Sequence, residues 1–131
     1  MRRWREKKVF SHAQNADAEP DARDFFVNQA TPQGIGYTLM DTAARVMDGK
    51  GEFAIITASL TAANKNEWRK HIDERLKKYP DIKCLDVRPC DDIQRKAQEE
   101  ATVLLNKHPN LKLIMAICSP STPPTTWPAA V

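Results

Sequence analysis

The sequence predicts an α/β fold in three layers, a parallel sheet with strand order 2-1-3 along the chain and helices on both faces. Three observations predict it. Short apolar runs at residues 53–58, 82–87 and 111–118 are too brief for helices and read as strands. Stretches with helical spacing precede and separate them, so helix and strand alternate from residue 31 onward. Right-handed crossovers then make successive strands parallel and distribute the helices over both faces.

Taken in order, residues 1–25 read as an irregular lead-in and residues 26–30 as an extended crossing. Thr31-Pro32 opens the first helix, Thr as N-cap and Pro at a position whose N–H needs no partner. Ile35, Leu39, Met40, Ala43, Ala44 and Met47 supply its apolar stripe, and Gly49 and Gly51 end it. The run 53–58 is unbroken by charge, as suits a central strand buried on both faces. Trp68, Ile72, Leu76 and Tyr79 then recur at helical spacing until Pro80, with Glu67 near the start and Lys77 and Lys78 at the end, both favourable to the helix dipole. The run 82–87 mixes apolar and charged residues, as an edge strand does. Asp91-x-x-Gln94 predicts a capping box for a third helix, with Ala97, Ala101, Leu104 and Leu105 inward and Pro109-Asn110 at its end. The strand at 111–118 is as apolar as a central one, yet residues 119–131 hold four prolines and read as an irregular tail from residue 120. The α/β domain is thus expected over 31–119, and its bare last edge predicts self-association.

Composition narrows the function. With 131 residues, 41% hydrophobic and 28% charged, the chain suits one globular domain with a core of its own. The net charge of +3 is concentrated in residues 1–8, which carry +4 and leave −1 for the rest, so the body lacks the basic stripe of a nucleic-acid surface. The basic start is followed by no apolar stretch, so no signal peptide is expected, and no window is long enough for a membrane span. Cys84, Cys90 and Cys118 cannot all pair within one chain and read as buried free thiols. Neither they nor His12, His71 and His108 have zinc-site spacing, and no cofactor is expected.

Gly34-Ile-Gly36 resembles the start of a dinucleotide fingerprint, but the third glycine position is Leu39 and no apolar strand precedes it. No nucleophile elbow, Walker lysine loop or zinc-protease helix is present, so the chain is not expected to be an enzyme. Cys118, at the mouth of the last strand, would be the nucleophile of a small α/β enzyme if it were one, yet no His or basic cluster stands in sequence to activate it. The polar turn 59–66 is the strongest candidate site, because ligands of open α/β sheets bind at the carboxyl ends of strands. Asn64, Lys65 and Asn66 place two amides and an ammonium there, groups that match the vicinal hydroxyls of a sugar. The same residues equally describe a solvated helix start with an asparagine cap, and both readings stand.

Three segments carry a resemblance: Phe26-Val-Asn-Gln-Ala-Thr-Pro-Gln-Gly-Ile-Gly-Tyr37, Gly51-Glu-Phe-Ala-Ile-Ile-Thr57 and Ser59-Leu-Thr-Ala-Ala-Asn-Lys-Asn-Glu-Trp68. They resemble the sugar-binding proteins of bacterial ABC importers, type I periplasmic binding proteins of the rhamnose- and autoinducer-2-binding branch, over residues 15–123. The resemblance implies two lobes joined by a hinge near 26–30, with sugar in the cleft, an ABC permease as partner and a periplasmic location for the full-length parent. Residues 1–25 would then be a remnant of lobe one, and residues 31–119 the first half of lobe two. It implies ligand-lining positions at Asn15, Asn64, Lys65, Ile117 and Ser119. Asn15 stands where the family has the first carboxylate of Asp-x-Asp, and Lys65 where it has Gln. Asn64, rather than Asp, favours the rhamnose-like branch. Both ends depart from the family pattern, which implies a truncated or frame-shifted copy unable to bind sugar alone. The fold also serves as the sugar-sensing domain of transcriptional regulators, the alternative role the resemblance leaves open.

Overall fold

The computed structural model describes residues 12–14 and 25–121. Two short strands, β1 (His12–Gln14) and β2 (Phe25–Val27), pair in parallel with His12 opposite Phe25. The lead-in is therefore not irregular throughout. Three residues carry too little periodicity to read as a strand, and pairing with β2 supplies what sequence alone does not.

The main body begins at α1 (Pro32–Val46), which starts as its sequence requires: Gly34 N–H donates to Thr31 Oγ1 at 3.1 Å, and Pro32 opens the first turn. Its end differs from expectation in one residue. Asp48, with φ of 53°, takes the left-handed position usually given to glycine, and Gly49 follows with φ of 73°. Gly49 N–H reaches Ala44 O and Asp48 N–H reaches Arg45 O, the paired closing bonds of a Schellman end.

Strand β3 (Gly51–Thr57) is central, with β4 (Ile82–Pro89) and β5 (Leu111–Ala116) on either side, all parallel. This is the 2-1-3 order that the apolar runs predict. Both neighbours slip register beside Phe53, where Leu85 and Lys112 have no partner on β3. The last strand stops at Ala116, short of Cys118, although Ile117 N–H still donates to Ile56 O at 3.0 Å.

Alternation along β3 feeds two cores. Phe53 and Ile55 meet Met40, Ala43, Ala44 and Met47 of the first helical layer, together with Ile72 of α2 (Ala63–Leu76). Ala54 and Ile56 face Ala97, Ala101 and Leu104 of α3 (Gln94–Lys107) on the opposite side. Full burial of one such side chain stabilises by about 1.5–3 kcal/mol, which is why β3 cannot slip by one residue.

Helices α1 and α2 cross closely at Gly36. A Cβ built there would lie 2.6 Å from His71 Cβ and 2.7 Å from Trp68 O. The glycine that invites a nucleotide reading is a helix-packing residue. Farther along the crossing, the Arg75 guanidinium grips Asp41 with two hydrogen bonds of 2.7 and 2.8 Å, and Tyr79 Oη donates to the same carboxylate at 2.7 Å.

The capping box predicted at Asp91-x-x-Gln94 does not form. Ile93 is the N-cap and no side chain caps the helix. Asp91 and Asp92 have φ of 52° and 56°, whereas a capping residue needs extended backbone. Their turn is set by β3 instead, because Cys90 N–H donates to Thr57 O and Asp91 N–H to Ala58 O. The Asp91 carboxylate pairs with Lys96. After β5 the chain forms a 3-10 turn at Ser119–Ser121; residues 122–131 of the expected tail lie outside the described residues.

Candidate functional site at the carboxyl edge of the sheet

Three loops leave the carboxyl ends of β3, β4 and β5 and converge. The loop after β3 is short because α2 begins at Ala63, earlier than the polar composition of 59–66 predicts. Its turn is held by Ser59, whose Oγ lies 2.9 Å from Thr61 Oγ1 and accepts from Thr61 N–H at 3.2 Å. Asn64, Lys65 and Asn66 therefore occupy the first turn of α2.

The asparagines do not cap the helix; Ala62 is the N-cap and no side chain caps this end. They differ from each other in a way that matters for binding. Asn66 is committed: its amide nitrogen donates to Leu60 O at 2.8 Å and its oxygen accepts from Arg69 at 3.3 Å. Asn64 uses only its oxygen, which accepts from Lys65 N–H at 2.9 Å. Among the described residues the Asn64 amide nitrogen has no acceptor, which leaves two donors unused.

Lys65 Nζ lies 3.8 Å from the Trp68 ring centroid, a cation–π contact that folds the side chain back over the indole. Partial burial lowers its pKa from the usual lysine value, while Cys118 and Asp92 act in the opposite direction. Those two groups belong to the loops after β5 and β4.

Thr57 adds a group the sequence reading passed over. It ends β3, is fully buried, and its Oγ1 has no hydrogen-bond partner. By strand alternation it shares the face of Phe53 and Ile55, below the start of α2. The signal was available: a hydroxyl residue closing an otherwise apolar strand.

The other implied site residues divide. Ser119 is exposed at the end of the β5 loop. Ile117 is 5% exposed and packs into the core shared with Met40 and Ile72, so it presents almost no side-chain surface. Asn15 lies outside the described residues. Cys118 touches Cys90 and Ser121, and among the described residues no general base is hydrogen-bonded to it. Among the described residues no cluster of three metal-ligating side chains occurs, and no helix is long and apolar enough to cross a membrane.

Two surface concavities lie elsewhere. One of about 340 Å³ is at the amino ends of the strands, lined by Gly51, Glu52, Asp81, Lys83 and Lys112. The other, about 570 Å³, follows the outer face of α2 from Leu60 to Lys77. Both are broad and mixed in charge. The converging loops at the carboxyl edge are the better site, because helix starts and strand ends direct their polar groups there.

With this fold and edge described, the class follows: the periplasmic binding protein domain family matches residues 1–129, and the chain belongs to it. Among solved structures, a solute-binding protein of an ABC transporter from Burkholderia graminis, in complex with D-arabinose, is 28% identical. It has a TM-score of 0.82 over 91% of this chain and 41% of its own. A sugar ABC transporter protein from Actinomyces odontolyticus is 29% identical, with a TM-score of 0.72 over 89% of this chain and 38% of its own. A solute-binding protein from Clostridium phytofermentas with bound L-rhamnose shares the fold at 24% identity and a TM-score of 0.84, over 92% of this chain and 38% of its own. The chain thus spans about two fifths of the length of these proteins.

Proposed function

We propose that this chain carries one side of the ligand cleft of a sugar-binding component of an ABC importer and is not an enzyme. The observation that carries this reading is the polar start of α2, where Asn64 keeps an unused amide and Lys65 lies over Trp68, directly after a strand closed by the unpartnered hydroxyl of Thr57. It is supported by the D-arabinose complex of a 28%-identical protein with the same fold. Sugar hydroxyls would accept from the Asn64 amide and the Lys65 ammonium, and Ser119 would offer a further hydroxyl. A rhamnose-like or autoinducer-2-like ligand suits an edge this small, and Asn64 favours the former. Asn15 and Ile117 remain in the proposed set, Ile117 as a wall rather than a donor.

The full-length parent would work in the periplasm, closing two lobes over sugar and presenting the closed form to a permease. The strand β1 would belong to lobe one, and β2 would run into the hinge at residues 26–30. Cleft sites bury about 70–90% of a ligand, which one edge cannot do, so this chain alone binds sugar weakly. Strand β5 pairs only with β3 among the described residues, and its free edge suits a second copy of the chain.

Thermal melts in about 100 mM L-rhamnose or D-arabinose, with sucrose as the excluded-solute control, test the reading. A dissociation constant near 10 mM raises Tm by several degrees beyond sucrose, and Asn64→Ala with Lys65→Ala abolishes the difference. Equal rises in all three sugars would contradict the site. Saturation at micromolar sugar would contradict the incompleteness of the cleft.

A further inference from the structure

Cys90 and Cys118 follow the two strands that flank β3, and both bend over its carboxyl end. Cys90 N–H is held by Thr57 O at 2.8 Å, and Ile117 N–H, one residue before Cys118, by Ile56 O at 3.0 Å. Strands on either side of a central one lie about 9.6 Å apart. These backbone tethers nevertheless bring the two Sγ atoms to 3.3 Å. Both thiols lie in the apolar layer between β3 and α3, beside Ala58, Ala97 and Ala101. Cys84 packs on the opposite face of the sheet, toward α1 and α2, and cannot compete for either.

We propose that Cys90 and Cys118 are a dithiol–disulfide pair, which on oxidation staples the loops after β4 and β5 across the end of β3. A disulfide needs about 2.05 Å between sulfurs, so about 1.3 Å remains to be closed. The oxidant is an external disulfide of the glutathione class. Cys118, 7% exposed where Cys90 is 0%, is reached first. Its thiol loses a proton and the thiolate attacks one sulfur of the oxidant. The external S–S bond breaks, and the departing sulfur takes up a proton. The Cys90 thiol then loses its proton and attacks Cys118 Sγ, releasing the second external thiol. Two protein thiols have lost two electrons and two protons, and one external disulfide has become two thiols.

Burial pushes the Cys90 thiol up to about 11, which disfavours its thiolate before oxidation. Ser121 Oγ lies 3.0 Å from Cys118 Sγ and donates to Cys118 O at 2.7 Å. The staple fixes the Asp91-Asp92 turn and Ser119 relative to Lys65, and so rigidifies the edge at which the loops converge.

The test equilibrates the full chain with mixtures of reduced and oxidised glutathione, quenches with acid, and labels thiols with a maleimide after denaturation. The three free cysteines give three labels when reduced and one when oxidised, with a loss of about 2 Da and a peptide joining Cys90 to Cys118. Cys84→Ser shows the same mass loss, and Cys90→Ala stops at a glutathione adduct on Cys118. Three labels at every ratio, a cross-link through Cys84, or a lasting adduct in the parent chain would overturn the pairing.

Discussion

Lys65 shows how far a single residue's environment can be read from sequence. A lysine beside two asparagines at a strand's end marks a polar edge, and its neighbours in sequence were legible as helix-start residues. What sequence could not give was its electrostatic surroundings, since the charges that act on it include Asp92 and Cys118, which follow two other strands. Nor could it separate the two amides, because Asn66 is spent on Leu60 O only when the turn has closed. The contact of Lys65 with Trp68 makes its titration measurable. Burial disfavours the ammonium, so it should lose its proton below the usual 10.5, and the Trp68 emission should change with that midpoint. A Trp4→Phe, Trp127→Phe background isolates the signal, and Lys65→Met supplies the baseline to subtract. A midpoint at or above 10.5 would show that the ammonium stands in solvent.

At the scale of elements, the strands and helices were legible because their periods differ and glycine or proline punctuates them. The ends were less so. The capping box at Asp91 failed because a tertiary tether to β3 puts Asp91 and Asp92 in left-handed backbone, a cause no local pattern contains. Gly36 shows the same limit: it resembles a phosphate-loop glycine until α2 is packed against it. Gly36→Ala should destabilise by about 1–3 kcal/mol, since two of the atoms it would strike are backbone and cannot swing away. Gly34→Ala meets only the Thr31 hydroxyl, at 2.9 Å, and should cost clearly less. Denaturant unfolding of both variants checks the contrast. Equal losses would mean that helix propensity, not the α1–α2 crossing, governs these positions.

For the whole molecule, the order of the sheet was written in charge and burial. An unbroken apolar β3 must be central, and the charged Lys83, Asp86 and Arg88 of β4 mark an edge that resists further pairing. On the proposed function, the carboxyl edge would form one wall of a ligand cleft. Amide chemical-shift mapping during titration with D-arabinose or L-rhamnose tests that claim most directly. Weak shifts, saturating at millimolar sugar, are expected at Thr57, Asn64, Lys65 and Ser119. Shifts clustered instead around Gly51, Glu52, Asp81 and Lys83, at the opposite end of the sheet, would contradict it.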